Sequence, residues 1–566
     1  MLISQKWLTS LLNNAGNPGW SVSAEELDAG FVRVGFETEG YEPLPETTGP
    51  LVIGRVEEIE ELTEFRKPIR YCQVNVGKAN GSGELQGIIC GARNFKEGDY
   101  VVVSLPGAVL PGGFEIAARE TYGHISNGMM ASEAELGFTS KSDGIITLPE
   151  GVGELGQDAR EVLGGPDTIF EVNITPDRGY ALSARGLGRE VASAFDLEYK
   201  DMAEDPAIAG IDVSGVPAPK GDLIPITLEE STKAQRFGLR KVEGIDPTAQ
   251  APFWMKRVLM LAGVRTVNAA TDVTNYVMLL LGQPMHAFDA DKVAGGLRVH
   301  NAQGGEEFET LDHTKRTLTP GDVVISDDNG IQSLAAIMGG TTSEISDDTT
   351  NVYFEAASWD ALTVARSARH HKLSSEASRR FERGVDPTII EVALDMACAL
   401  LVEIAGGTIS DKRTLVEGAA QNRESINLRV AHPSELIGVE YSKETVIKRL
   451  QEVGCDIADN GDVLVVTPPA WRTDLNEPVE LIEEIVRLEG LDDIPLVLPT
   501  PRGGRGLSTE QRRRRAVTHA LAYSGYVEII PTPFMSNTLL DTWGLDTDDP
   551  SRNTVAVPVS YTHLTL

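Results

Sequence analysis

Cationic side chains are scarce in this chain of 566 residues: 50 Lys and Arg stand against 84 Asp and Glu, a formal net charge of −34. That balance excludes a general electrostatic grip on nucleic acid, so any contact with RNA has to be local. Long apolar runs are missing too, and none reaches the roughly 18 residues that a membrane-spanning helix needs. The opening M-L-I-S-Q-K-W-L-T-S-L-L is interrupted by Gln5 and Lys6. It is a poor signal peptide and a better amphipathic first helix. The four cysteines, Cys72, Cys90, Cys398 and Cys455, lie far apart without a C-x-x-C pair. They exclude a disulfide framework and leave the cytoplasm as the default compartment. Neither a P-loop, nor a solenoid repeat, nor a run of coiled-coil heptads is present, and no Ser/His/Asp or Cys/His nucleophile set can be picked out.

What remains is a chain too long for one core, with about three to five domains expected. Residues 1–45 are helix-rich and end in a Pro/Glu/Thr/Gly linker at 43–50. From residue 51 the hydrophobic period changes to two. Short β-branched runs at 51–56, 71–76, 85–90 and 100–105, separated by turn residues, predict a small barrel or sandwich. The acidic, Ala/Gly/Pro-rich stretch 201–221 reads as a linker. A mixed region follows over 220–415, with helices expected at 251–263, 360–371 and 386–404 and strands in D-V-V-I-S and N-V-Y-F-E. From about 423 come a helix at 443–453, a strand at 463–467 and a helix opened by Pro478, a favoured first position. A further helix at 508–524 leads into E-I-I-P-T-P-F and the start of a new α/β unit. The one dense basic patch, Arg502, Arg505 and R-R-R-R at 512–515, reads either as a solvated helix start or as an RNA or partner contact.

Several strings carry a resemblance. W-R-T-D-L-N-E-P-V-E-L-I-E-E-I-V-R-L-E-G-L-D-D-I-P at 471–495 looks like the β subunit of bacterial phenylalanyl-tRNA synthetase. I-C-G-A-R-N-F-x-x-G-D at 89–99, followed by P-G-A-V-L-P-G-G and S-N-G-M-M-A-S-E-A-E-L-G, resembles the tRNA-binding OB-fold module of that family. Where a His-Pro-Asn-Ala-Asp-like stretch is common there, this chain has E-F-R-K-P-I-R at 64–70. E-V-N-I-T-P-D-R-G-Y-A-L-S-A-R-G-L-G-R-E-V-A at 171–192 is similar to the segment that leaves the inserted barrel and re-enters the first domain. Five such segments in family order cover nearly the whole chain.

The resemblance implies an α+β multidomain fold: a winged-helix-like first domain (1–45 plus 156–200) with an inserted OB-fold β-barrel (46–155), a mixed α/β editing domain (220–415), a second winged-helix-like domain (423–498), and the start of a class II synthetase-like α/β module (499–559). Family members run on, so the resemblance also implies a C-terminal truncation, with about 560–566 read as adapter-like sequence. The implied partners are tRNA(Phe) and an α subunit in an α2β2 heterotetramer. The α subunit binds ATP and phenylalanine, and no membrane is involved. The alternative is a stand-alone tRNA-binding or tRNA-deacylase protein.

Two sets of site residues follow. D-V-T-N-Y-V-M, G-Q-P-M-H-A-F-D, A-I-M-G-G, V-Y-F-E-A-A-S-W-D and S-S-E-A-S-R-R-F-E-R-G-V-D-P resemble the domain that hydrolyses tyrosine wrongly attached to tRNA(Phe). A phenylalanine pocket rejects an isostere bearing an extra hydroxyl by only about 10²-fold. A second site therefore needs a polar group that reads that hydroxyl, left unpaired by phenylalanine at a cost of roughly 1–3 kcal/mol. By resemblance Glu355 reads the hydroxyl, while His286, Thr274 and Asn275 line the ester end and position water. Gly339 and Gly340 admit backbone N–H groups close to substrate, and Ala377 forms a wall. On residue chemistry alone, His286 reads as a structural histidine and Glu355 as a capped or paired buried acid. T-L-D-H, with Asp312 and His313, stands where Leu-Asp-Gly is usual. The second set is acidic. At ~100° per residue, Glu480, Glu483, Glu484 and Arg487 share one helix face opposite Leu481, Ile482, Ile485 and Leu488, with Asp474 just upstream. Converging carboxylates suit Mg2+; the plain alternative is a solvated acidic face with a Glu483–Arg487 pair. The family assigns magnesium to Asp474, Glu480, Glu483 and Glu484, with glutamate at 480 where aspartate is usual.

Overall fold

The computed structural model describes residues 1–63, 65, 69–418, 423–500, 503–504, 506–530 and 535–552. The chain divides into two compact units, Met1–Pro495 and Leu496–Leu566.

The first domain opens with β1 (Leu2–Ser4), α1 (Gln5–Asn14), α2 (Ala24–Arg33) and β2 (Glu37–Pro43). Ser4 accepts from Trp7 N to cap α1, and Ser23 with Glu26 forms a reciprocal capping box on α2. Spacing of three and four residues turns Leu8, Leu11, Leu12 and Ala15 to one buried face.

Strands β3 (Leu51–Leu62), β4 (Ile69–Asn75), β5 (Gln86–Cys90) and β6 (Tyr100–Ser104) form the heart of an inserted six-stranded antiparallel sheet, ordered Met129–Met130, β6, β3, β4, β5, with Thr147–Leu148 also on β6. Cys72 and Val74 point inward while Tyr71 and Gln73 point outward, the alternation expected from the sequence. The chain then returns as β7 (Thr168–Asn173), which lies between β1 and β2. The helix-rich reading of 1–45 does not include this three-stranded sheet. α3 (Ala184–Ala194) packs beneath it. The stretch 201–221 is also more than a linker: Met202, Ile208 and Ile211 enter the core, and Asp201 binds Arg185 at 2.8 Å and Arg189 at 2.9 Å.

The central domain is built on two large sheets, with a two-stranded hairpin of Glu307–Glu309 and Lys315–Thr317 beside them. Its elements are β8 (Arg236–Glu243), α4 (Phe253–Leu261), α5 (Ala269–Leu281), β9 (Met285–Asp289), β10 (Leu297–Asn301), β11 (Val323–Asp327), β12 (Gly330–Leu334), β13 (Asn351–Ser358), α6 (Ala361–His370), α7 (Glu376–Phe381), α8 (Ile390–Ala405) and β14 (Thr408–Glu417). One sheet runs β9-β13-β8-β14; the other runs Ile226–Leu228, β10, β11, β12, Met338–Gly339. The period of two sends Val352, Phe354 and Ala356 of β13 into a core shared with α5 and α8. Tyr353 and Ala357 face the other core, with Phe288, Val299, Ile325 and Leu334.

A third domain follows: β15 (Ile426–Arg429), α9 (Lys443–Glu452), β16 (Asp456–Asp459), β17 (Val463–Thr467) and α10 (Pro478–Glu489), with strand order β15-β17-β16. Its core joins Leu428, Val446, Leu450, Leu464, Leu481, Ile482 and Ile485. In the second unit α11 (Thr509–Tyr523) has a Ser508–Gln511 capping box and no buried residue. A short helix follows at Asn537–Thr542, and among the described residues no strand occurs there. Arg512, Arg513, Arg514 and Arg515 lie on exposed α11, while Arg502, Arg505, most of E-F-R-K-P-I-R, the P-T-P-F run and 553–566 lie outside the described residues.

Candidate functional site

Strand register decides the first site. β9 and β13 are antiparallel with His286 directly opposite Glu355, and Leu239 of β8 flanks Glu355 on its other side. Side chains of directly opposed residues share a face, so the imidazole and the carboxyl are neighbours between the two sheets. Glu355 is 6 % exposed. Its Oε2 and the His286 Nε2 are both sealed from solvent without a hydrogen-bond partner, although His286 as a residue is only half-buried. Burial pushes the Glu355 carboxyl up to about 8 and the His286 imidazolium down to about 4. At neutral pH both groups are therefore uncharged.

Unpaired buried polar atoms are costly, about 1–3 kcal/mol each, and native folds rarely keep them without a use. Phe288 stands edge-on to the imidazole at 4.4 Å between ring centroids. Gly339 backs onto it: a Cβ there would lie 2.3 Å from His286 Cε1. Gly340 has the same constraint toward Phe308, whose ring a Cβ would meet at 2.6 Å. Ala377, half-buried on α7, packs on the same core as Phe288 and Ile337. Ser375, which caps α7, also donates to the Ile337 carbonyl at 3.0 Å and ties that helix to the strand of Gly339.

The structure does not bring the other two predicted residues into hydrogen-bond contact with this pair. Thr274 donates to the Thr271 carbonyl at 2.8 Å within α5, a helix whose apolar residues belong to the core on the opposite face of the sheet, and Asn275 beside it is half-buried. Gln283 went unremarked in the sequence. It is fully buried, its amide donates to the Pro284 and Ala357 carbonyls, and its Oε1 has no partner. The string G-Q-P-M-H held that signal: a buried amide just before a strand tends to bind the neighbouring backbone. Asp312 accepts from Thr310, Thr314 N and Arg316, and His313 occupies a left-handed turn position at φ 57°. A cleft of about 680 Å³ opens at the end of β13, lined among others by Trp359, Arg383, Arg423 and Asp474.

The acidic set is arranged differently from the sequence expectation. Glu484 and Arg487 are buried, whereas Glu480 and Glu483 reach solvent, so the supposed single face is split. The i,i+4 pair is replaced by Glu484–Arg487 at 2.6 Å, and Glu483 sits 3.4 Å from Arg178. Glu484 also binds Arg472 at 2.5 Å. Burial works against the Glu484 carboxylate, but the Arg487 and Arg472 guanidiniums outweigh it and hold its pKa below the ordinary range. Arg472 grips both oxygens of Asp474, at 2.9 and 2.7 Å. Glu480 folds back as the capping partner of Glu477, accepting from its N–H at 2.7 Å. Among the described residues no three His, Cys, Asp or Glu side chains converge as a metal site. The four carboxylates do not fit a magnesium ion as they stand, because arginines and backbone N–H groups already occupy them.

These modules define a class, that of multidomain tRNA-synthetase chains. Family models match in the same order: "Putative tRNA binding domain" over residues 51–157, "B3/4 domain" over 233–406, "tRNA synthetase B5 domain" over 426–491 and "Phenylalanyl tRNA synthetase beta chain CLM domain" over 494–563. Relatives named phenylalanine–tRNA ligase beta subunit include those of Corynebacterium glutamicum, 67 % identical over 98 % of this chain and 66 % of its own length, and Corynebacterium jeikeium, 61 % identical over 98 % and 67 %. That of Nocardia farcinica is 53 % identical over 98 % and 66 %. The chain belongs to the phenylalanine–tRNA ligase β-subunit family. It spans just under two thirds of the length of the first of these relatives.

Proposed function

We infer that this chain binds tRNA(Phe) and hydrolyses mischarged tyrosyl-tRNA(Phe), as the β subunit of a cytoplasmic phenylalanine–tRNA ligase. In this reading an α subunit binds ATP and phenylalanine, carries out aminoacylation and completes an α2β2 heterotetramer. The inserted sheet is the OB-type tRNA-binding barrel, and the domains around α1–α3 and α9–α10 are winged-helix-like. The unit after Pro495 begins a class II-like module. Among the described residues no helix is long and apolar enough to cross a membrane.

The observation that carries the reading is the Glu355–His286 pair, at opposed positions of β13 and β9, one with an unpartnered buried oxygen and the other with an unpartnered buried nitrogen. A neutral carboxyl can donate to a phenol oxygen or accept from a phenol O–H. Phenylalanine offers neither, so it leaves Glu355 unpaired and the correct product is spared. A neutral imidazole can accept a proton from water at Nε2. The water oxygen then bonds to the ester carbonyl carbon, the acyl C–O bond breaks, and the terminal ribose oxygen leaves with a proton. Because both atoms are sealed, entry of the aminoacyl group requires the Met338–Gly339 strand to shift from the imidazole. The magnesium implied by the family has no seat among the four carboxylates, and no step is routed through it.

The test is deacylation of tyrosyl-tRNA(Phe) by the chain and by Glu355→Ala and His286→Ala. Loss of about 1–3 kcal/mol of discrimination or transition-state binding predicts roughly 10- to 100-fold lower kcat/KM in each variant. Equal hydrolysis by all three sinks the assignment. Failure to co-purify with an α chain that supports aminoacylation favours a stand-alone deacylase instead.

A further inference from the structure

The carboxylates that resemblance offers to magnesium have another occupant. All five N–H groups of the Arg487 guanidinium are used. Nε and Nη2 donate to Glu484 at 2.9 and 2.6 Å, Nη1 and Nη2 donate to Glu190 at 2.7 and 3.1 Å, and Nη1 also reaches the Val34 carbonyl at 3.0 Å. Arg472 spends Nε and Nη2 on Asp474 and Nη1 on Glu484, and lies over the Tyr180 ring at 4.9 Å. The Tyr180 hydroxyl donates to Glu190 at 2.5 Å. Arg178 closes the group, 3.7 Å from Glu484. Next to it Trp471 takes Arg185 and Arg189 on its ring at 5.1 and 4.5 Å.

Charge is balanced in the interior of the cluster before any ion arrives, while the exposed Asp177 and Glu483 add two carboxylates beside Arg178 at its rim. The guanidiniums of Arg178, Arg472 and Arg487 face the carboxylates of Glu190, Asp474 and Glu484. Both oxygens of Glu484 accept from arginine, and it is 2 % exposed. A dication entering here would have to displace two arginines and leave them buried without partners, a penalty of the size that makes broken buried pairs so destabilising. The cluster also connects sequence-distant parts: α2's end at Val34, the Tyr180–Glu190 stretch, and the 472–487 segment.

We propose that Arg472, Glu484, Arg487 and Glu190 form a metal-independent clasp that fixes the third domain to the first, and that these carboxylates do not bind magnesium in this chain. The inference is independent of the hydrolytic reading: it fails or stands without reference to deacylation.

The test uses the full chain, stripped with EDTA and then given Mg2+ or Mn2+ alone. Thermal melts should superimpose with and without either ion, and Mn2+ electron paramagnetic resonance should show no saturable one-to-one site. Glu484→Gln and Arg487→Met should lower the melting midpoint by roughly 5 °C or more, since each strands a buried charge. Glu480→Gln and Glu483→Gln change carboxylates at the solvent-exposed edge of the cluster, and since glutamine keeps an acceptor for the Glu477 N–H and for Arg178, both should melt like the parent within a couple of degrees. A stoichiometric Mn2+ site that disappears in Glu480→Gln or Glu483→Gln overturns the proposal even if the Glu484 variant does not fold. A Glu484→Gln chain as stable as the parent overturns it as well.

Discussion

Glu355 stores instability where it meets the imidazole. In the unfolded chain its carboxyl ionises near the ordinary 4.5, while in the fold burial holds the proton on up to about 8. Between these values the unfolded chain binds fewer protons than the native one, so stability falls as pH rises through that window and levels off above it. Glu355→Gln, which removes the titration and keeps the shape, should therefore gain on the parent steadily from about pH 5 to pH 8, by up to roughly 1.4 kcal/mol per unit. Paired denaturant titrations across that range check it, and a constant difference refutes it. Glu484 has the opposite sign. Its pKa is depressed in the fold, so its contribution is complete at neutral pH and is lost only as acid drives protons onto it. Neither environment can be read from one residue's neighbours in sequence. Glu355 sits in V-Y-F-E-A-A, which on residue chemistry alone reads as a capped or paired buried acid, and Glu190 lies 297 residues from the Arg487 it binds.

Among the elements, the Met338–Gly339 strand carries the most exposed prediction. Gly339 backs the His286 ring so closely that a methyl group would sit 2.3 Å from Cε1. Its φ is outside the left-handed region, so Gly339→Ala adds volume without backbone strain. The ring must rotate, and Phe288, 4.4 Å away, limits where it can go. Overpacking of this kind costs about 1–3 kcal/mol. Expected are a lower unfolding midpoint and tyrosyl-tRNA(Phe) hydrolysis reduced toward the His286→Ala level, read by melting and by deacylation; full activity would show that the ring position is irrelevant. Elements with strong local signals were legible from sequence. Lys443–Glu452, Val463–Thr467 and Pro478–Glu489 fall within a residue or two of expectation, the two helices because each combines a clear period with a cap or a proline start and the strand because it is a short β-branched run. The sheet of the first domain was not, since β2, E-T-E-G-Y-E-P, is almost wholly exposed and owes its form to pairing with β7. The same holds for 201–221, whose composition says linker while Asp201 anchors it to Arg185.

At the scale of the molecule, the boundary at Pro495 separates two kinds of surface. The opposed His286 and Glu355, the arginine clasp and every hydrophobic core cluster, those of the inserted sheet included, lie in Met1–Pro495. Beyond it Leu496, Val497 and Leu498 are 103, 79 and 89 % exposed, Ile529 and Ile530 are 80 and 95 % exposed, and α11 buries nothing. Exposed apolar residues in such density mark surface that associates with something. A chain ending at Pro495 keeps every one of those core clusters. It should melt with the full chain's midpoint to within a couple of degrees, hydrolyse tyrosyl-tRNA(Phe) at the same rate, and bind less of a hydrophobic dye such as ANS. A large drop in midpoint on removing 496–566 would refute this. Unchanged dye binding would mean that the exposed leucines and isoleucines are covered in solution.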